Sequence, residues 1–125
     1  MALDNNSAIF MALEPFDKGL LSHGFGSAYP PDRSQVFPSL IQYVWSDASL
    51  DNTMARMLRQ HTDEMRAAVI ADGQDVSHAA VFVNNALFDT PLEDIYGANL
   101  PRLREVRAAF DPDDVMGLTG GFKFN

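Results

Sequence analysis

The side chains with the widest chemical scope in this sequence are a tyrosine, a tryptophan and three histidines. Tyr43 and Trp45 stand two residues apart in the stretch SLIQYVWS, Ser39 to Ser46. A phenol on an apolar body can donate a hydrogen bond to a developing oxyanion, and an indole can stack on an unsaturated molecule. His23, His61 and His78 are the only imidazoles, and an imidazole can move a proton near neutral pH. They lie far apart, without the helical or hairpin spacing of a metal site. There is no cysteine, which excludes disulfides, thiolate zinc sites and a cysteine nucleophile. No serine has a nucleophile elbow around it. Gly24-Phe25-Gly26 and Gly117-Leu118-Thr119-Gly120-Gly121 neither follow a strand nor open a helix, so neither is a phosphate cradle. Residue chemistry alone therefore arrives at a pocket containing Tyr43, Trp45 and a histidine. The same aromatic residues also suit plain core packing.

The elements that must position this pocket follow from periodicity. In SLIQYVWS, Ile41, Tyr43 and Trp45 alternate to one face of a strand, while Leu40, Gln42, Val44 and Ser46 take the other. A second strand is expected over Ala8–Glu14, closed by Pro15. The glycines and prolines between Asp17 and Ser39 predict a long loop. Ser49 to Asp72 reads as a helix, capped by Ser49 or Asp51 and ended by Gly73. Its apolar stripe is Met54, Met57, Leu58, His61, Met65, Ala68 and Val69, on which His61 reads as a packing residue.

Ala79–Asn84, AAVFVN, reads as a third strand. Thr90-Pro91-Leu92-Glu93 has the pattern of a capping box. Pro101 then divides a short helix ending near Tyr96 from a second beginning near Leu100. Leu100, Leu103, Val106 and Phe110 face inward on the second, and Asp111-Pro112 stops it. Gly120-Gly121 lets the tail turn back. The expected fold is α+β, one domain over 1–125, with a small antiparallel sheet packed by two or three helices.

The totals set the class of partner. A chain of 125 residues fits one domain with its own core. A net charge of −8, with only Arg102, Arg104 and Arg107 loosely clustered, argues against nucleic acid and anionic membrane surfaces. No signal-like start and no spanning run of apolar residues is seen, so the expected location is cytoplasmic.

Val81 to Phe124 says more. Phe82-Val83-Asn84, Tyr96-Gly97-Ala98-Asn99-Leu100-Pro101-Arg102-Leu103 and Phe110-Asp111-Pro112-Asp113-Asp114-Val115-Met116 occur in that order. The series resembles the C-terminal end of berberine-bridge-type FAD-linked oxidases, especially fungal ones. That family shows an aromatic-x-Asn strand, a Tyr-Gly-x-Asn-x-x-Arg-Leu helix and Tyr-Asp-Pro-x-Asn-Val-Phe. Ser39 to Asn52 is similar to the preceding strand and helix start, and the likeness before residue 39 is looser.

The resemblance implies a ferredoxin-like half-sheet whose active-site face looks at a flavin in the larger enzymes. It places Tyr43 and Asn85 at positions facing substrate, with Phe82 beside Asn85. Asn85 stands where the family often has a catalytic tyrosine, and Tyr43 where some members have an acidic residue. The family's FAD domain and covalent anchors have no counterpart in these residues, so no cofactor is expected. The sheet face left open predicts a homodimer.

Two functions follow. One is a cofactor-free cyclase or isomerase of specialised metabolism, pericyclic chemistry included, acting on an unsaturated small molecule. Tyr43 would polarise it, Asn85 hold a carbonyl, His23 or His78 move a proton, and Ile41, Trp45 and Phe82 line the pocket. The other is a non-catalytic remnant, or an accessory subunit of a separate FAD-linked flavoprotein. Asn85 is also a common turn residue.

Overall fold

The computed structural model describes residues 7–15, 26–29 and 39–124. The long loop expected between Asp17 and Ser39 lies almost wholly outside the described residues, as does His23. The chain divides into two compact units, one of Met1–Phe16 with Val36–His78, the other of Asp17–Gln35 with Ala79–Asn125. The fold is α+β, with one two-stranded antiparallel sheet among the described residues. No helix there is long and apolar enough to cross a membrane.

In the first unit, β1 (Ala8–Leu13) pairs with β2 (Ser39–Val44), with Ile9 opposite Tyr43 and Met11 opposite Ile41. Opposed residues of an antiparallel pair share a face. Ile9, Met11, Ile41 and Tyr43 therefore stand on one side, and Phe10, Gln42 and Val44 on the other. Asp47 caps a short 3-10 turn, Ala48–Leu50, by accepting from the Ser49 backbone N–H at 2.9 Å. That bond and the side-chain bond with Ser49 hold the Asp47 carboxyl below the usual carboxylate range. The α-helix that follows has Leu50 at its N-cap with no side-chain bond, so neither Ser49 nor Asp51 caps it.

Helix α1 (Asp51–Ala71) follows and packs on β2. Met54 is buried, and Met57, Leu58, His61, Met65 and Val69 are half-buried, as the stripe requires; Ala68 is exposed. Gly73 ends the helix at φ +92°. This left-handed turn returns the Gly73 and Gln74 N–H groups to the Ile70 and Val69 carbonyls.

The second unit contains α2 (Leu92–Tyr96), a 3-10 turn over Gly97–Asn99, and α3 (Leu100–Phe110). Its core is Ile95 and Leu100. The break around Pro101 and the stop at Asp111-Pro112 fall where the sequence puts them. Three expectations do not hold. Ala79–Asn84 is not a strand: Val81 N–H donates to the Asp94 carbonyl, and Val83–Asn85 closes a 3-10 turn. The Val81 N–H and the Phe82 and Val83 carbonyls are thereby taken outside any strand ladder. Thr90 does not cap α2, because extended Pro91 (ψ 137°) occupies the N-cap position without a side-chain bond. On α3, Val106 and Phe110 are exposed, Phe110 at 86%. Arg107 instead takes the half-buried position, paired with Asp114 at 2.7 Å.

Candidate functional site

In the first unit the alternation of β2 brings the Tyr43 side chain beneath α1, where it is buried at 8% exposure. The stripe of α1 brings His61 to the same place. The Tyr43 hydroxyl is hydrogen-bonded to His61 Nδ1, and the two rings meet edge to face with centroids 5.9 Å apart. Tyr43 and His61 are thus a phenol–imidazole pair rather than two independent packing residues. His61 was not among the site residues that the sequence suggests. The alternation of β2 and the stripe of α1 each indicated an inward face, but not that these two positions meet.

Ile41 shares Tyr43's face of the sheet and is half-buried. Trp45 does not continue it. β2 ends at Val44, and the Trp45 indole N–H donates to Asp51 Oδ1 at 2.6 Å. The ring is tied to the first turn of α1. His78 is exposed, three residues beyond Asp75. The Asp75 carboxyl lies below the usual range because Ser77 hydrogen-bonds it, with a smaller contribution from His78.

Asn85 and Phe82 belong to the second unit. Phe82 is half-buried and takes the edge of Tyr29, centroids 6.1 Å apart, while the Tyr29 hydroxyl donates to the Ala80 carbonyl at 3.3 Å. Asn85 sits at the end of the 3-10 turn, its backbone N–H donating to the Phe82 carbonyl at 2.9 Å. Its side-chain Nδ2 is buried and has no hydrogen-bond partner among the described residues. An amide donor removed from water and left unpaired costs about 1–3 kcal/mol. Such a group marks a place where an acceptor from outside would be stabilised.

The residues that carry the sequence motifs hold this unit together by identifiable means. Gly97 adopts φ +49°, ψ −130°, which disfavours any residue with a Cβ. Asn99 Nδ2 donates to the Ser27 and Ala28 carbonyls, at 3.3 and 3.1 Å, tying segment 26–29 to the helices. Tyr96 packs on Phe124 with centroids 5.1 Å apart. Asp111 accepts from the Val115 and Met116 N–H groups, at 2.7 and 3.0 Å. Asp114 has φ +54°, a left-handed conformation that Asn and Asp tolerate better than other side chains. It also raises the pKa of Arg107 above the ordinary arginine value by its hydrogen bond.

Gly121, at φ +93°, turns the tail back. Lys123 Nζ then donates to the Met116 carbonyl at 2.9 Å and to the Thr119 carbonyl. The sequence expectation for Gly120-Gly121 holds in this form.

Residues 81–119 match the family model for berberine and berberine-like proteins. The match takes in Phe82, Asn85, Asn99, Asp111 and Asp114, and ends before the tail. Tyr43 and His61 lie outside it. No curated protein and no solved structure matches the chain.

Proposed function

We propose that this chain supplies the substrate side of a berberine-type FAD-linked oxidase, beside a flavin held by a separate flavin-bearing protein. The carrying observation is Asn85, inside the matched segment 81–119, with a buried side-chain donor that no described residue accepts from. The resemblance to the oxidases assigns that position to the face that meets substrate. A substrate carbonyl or hydroxyl oxygen would complete the missing bond, worth about 0.5–1.5 kcal/mol for a neutral pair. Uncovered apolar side chains also support the reading. Ile9, Phe10, Met11 and Leu13 of β1 are 49–67% exposed, a pattern of surfaces that bind partners. Without the flavoprotein, two copies of the chain cover this sheet and form a homodimer.

The test is reconstitution. The flavin-bearing part of a berberine-type oxidase, expressed without its own C-terminal segment, is mixed with this chain. The expected result is a one-to-one complex whose flavin is bleached by that oxidase's substrate, and an Asn85→Leu complex that forms but bleaches slowly. Absence of a complex, or full speed with Asn85→Leu, would sink the proposal.

A second reading is favoured by the Tyr43–His61 hydrogen bond, which requires no flavin to move a proton. In it the chain is a cofactor-free isomerase or cyclase acting on an unsaturated small molecule.

A further inference from the structure

We infer that Tyr43 and His61 form a proton relay for an apolar, enolisable ketone, with Tyr43 the catalytic residue and His61 the positioning residue behind it. The inference rests on the flavin-independent reading above. Its geometry is the hydrogen bond between the Tyr43 hydroxyl and His61 Nδ1, with the rings edge to face. With Nδ1 as acceptor, the imidazole carries its proton on Nε2.

The phenol alone is a poor base near neutral pH, because its oxygen already carries a proton. The imidazole removes that obstacle. Tyr43 Oη takes a proton from the carbon next to the ketone as its own proton passes to His61 Nδ1. The C–H electron pair becomes the C=C bond of the enolate, and the carbonyl oxygen takes the negative charge. The imidazolium balances that charge. The reverse transfers return the proton to the γ carbon and restore the pair, so a β,γ-unsaturated ketone becomes its conjugated isomer with no atom gained or lost.

The surroundings select the class of ligand. Tyr43 has Ile9 across the strand pair and Ile41 on the same face of β2, both apolar. Met54 and Leu58 stand on the α1 stripe with His61. Ile9 is half exposed, while Tyr43, opposite it in the strand pair, is buried. A charged substrate would lose its hydration there without a partner, whereas a flat ketone loses little. Nothing in the relay uses residues 81–119 or a flavin, so it is independent of the family match.

The experiment uses the full chain, without flavin, and β,γ-unsaturated cyclohexenone as probe, following the absorbance of the conjugated product. Wild type should exceed the buffer rate by about 100-fold or more, the usual contribution of a positioned general base. Tyr43→Phe removes the base, and His61→Gln keeps an acceptor for the phenol but cannot take its proton. Both should lose most of kcat while KM stays within about twofold, the signature of an interaction made in the transition state. Nitrogen chemical shifts of His61 should show an unprotonated Nδ1 in the resting chain. A wild-type rate equal to buffer, either variant as fast as wild type, or a proton on Nδ1 overturns the relay. Failure here leaves the Asn85 reconstitution untouched, since that assay reads a different unit and requires flavin.

Discussion

The two compact units share two costs, exposed apolar side chains and buried polar atoms without a partner among the described residues, and differ in where these fall. In the first, Tyr43 is paired with His61 and Trp45 with Asp51, the apolar side chains of β1 are left in solvent, and Glu14 Oε2 is buried without a partner among the described residues. In the second, Ile95 and Leu100 are shut away and the loops are tied by Asn99, Asp111 and Lys123, while Phe88, Phe110 and Leu118 are exposed and Asn85 Nδ2 and Arg107 Nε are buried without a partner among the described residues. Function is expected where local rules are broken at a cost. In the first unit the exposed apolar side chains run along a single strand, β1, which calls for a partner. In the second the unpaired Asn85 donor falls within the segment that matches the family model, which calls for a ligand.

The comparison can be broken most severely at the cores. Ile95 is fully buried and Met54 almost so. Ile95→Ala and Met54→Ala should each cost about 2–5 kcal/mol in denaturant unfolding, the range for large-to-small core changes. If Ile95→Ala costs less than 1 kcal/mol, roughly a surface effect, the second unit lacks the tight core described. Gly117→Ala comes next. A Cβ there would lie 2.6 Å from Asp114 Cγ, and Asp114 is held by Arg107. The loss should be about 1–3 kcal/mol, as for other forced contacts. Asp114→Ala in the same chain should recover part of it.

The exposed strand is sharpened by Phe10→Glu. Phe10 is 56% exposed, so the substitution should change intrinsic stability by no more than about 0.5 kcal/mol. It should also convert the proposed dimer to monomer in light scattering. A wild-type monomer at all concentrations would show that β1 does not self-associate.

The smallest effects concern the caps. Thr90→Ala should lie within about 0.5 kcal/mol of wild type, because Pro91 occupies the N-cap without a side-chain bond. A loss of about 1 kcal/mol, the usual cost of deleting a cap, would restore the capping box. Asp47 and Asp75 have folded pKa values below their unfolded ones. Their contribution is therefore present above the ordinary carboxylate range and lost as the pH falls through it. Asp47→Asn and Asp75→Asn should flatten the acid side of the melting profile slightly.

The features legible in the sequence are those whose signals are local. Gly73 after the α1 stripe, Pro101 in the first turn of α3 and Asp111-Pro112 after it each act within one turn of chain, and each is found in place. Ala79–Asn84 was illegible because a short apolar run suits a strand or a buried irregular segment equally, and the Val81 bond to Asp94 decides it from thirteen residues away. Phe110 has the right spacing for an inward face, but its neighbour Arg107 is drawn in by Asp114, which no periodicity reveals. The site was legible in half. Tyr43 on the inner face of β2 and Asn85 in the matched segment were both reachable. The Tyr43–His61 contact spans eighteen residues and depends on how α1 lies on β2, and the solitary donor of Asn85 depends on what fails to reach it.

The most direct measurement is calorimetric titration of FAD into the purified chain, alone and with the flavin-bearing part of a berberine-type oxidase. If the chain is the substrate side of a site whose flavin is held elsewhere, the chain alone is colourless and gives no binding heat, and the mixture binds FAD. A dissociation constant below about 1 μM for the chain alone, the range of a well-formed site, would contradict that division of labour.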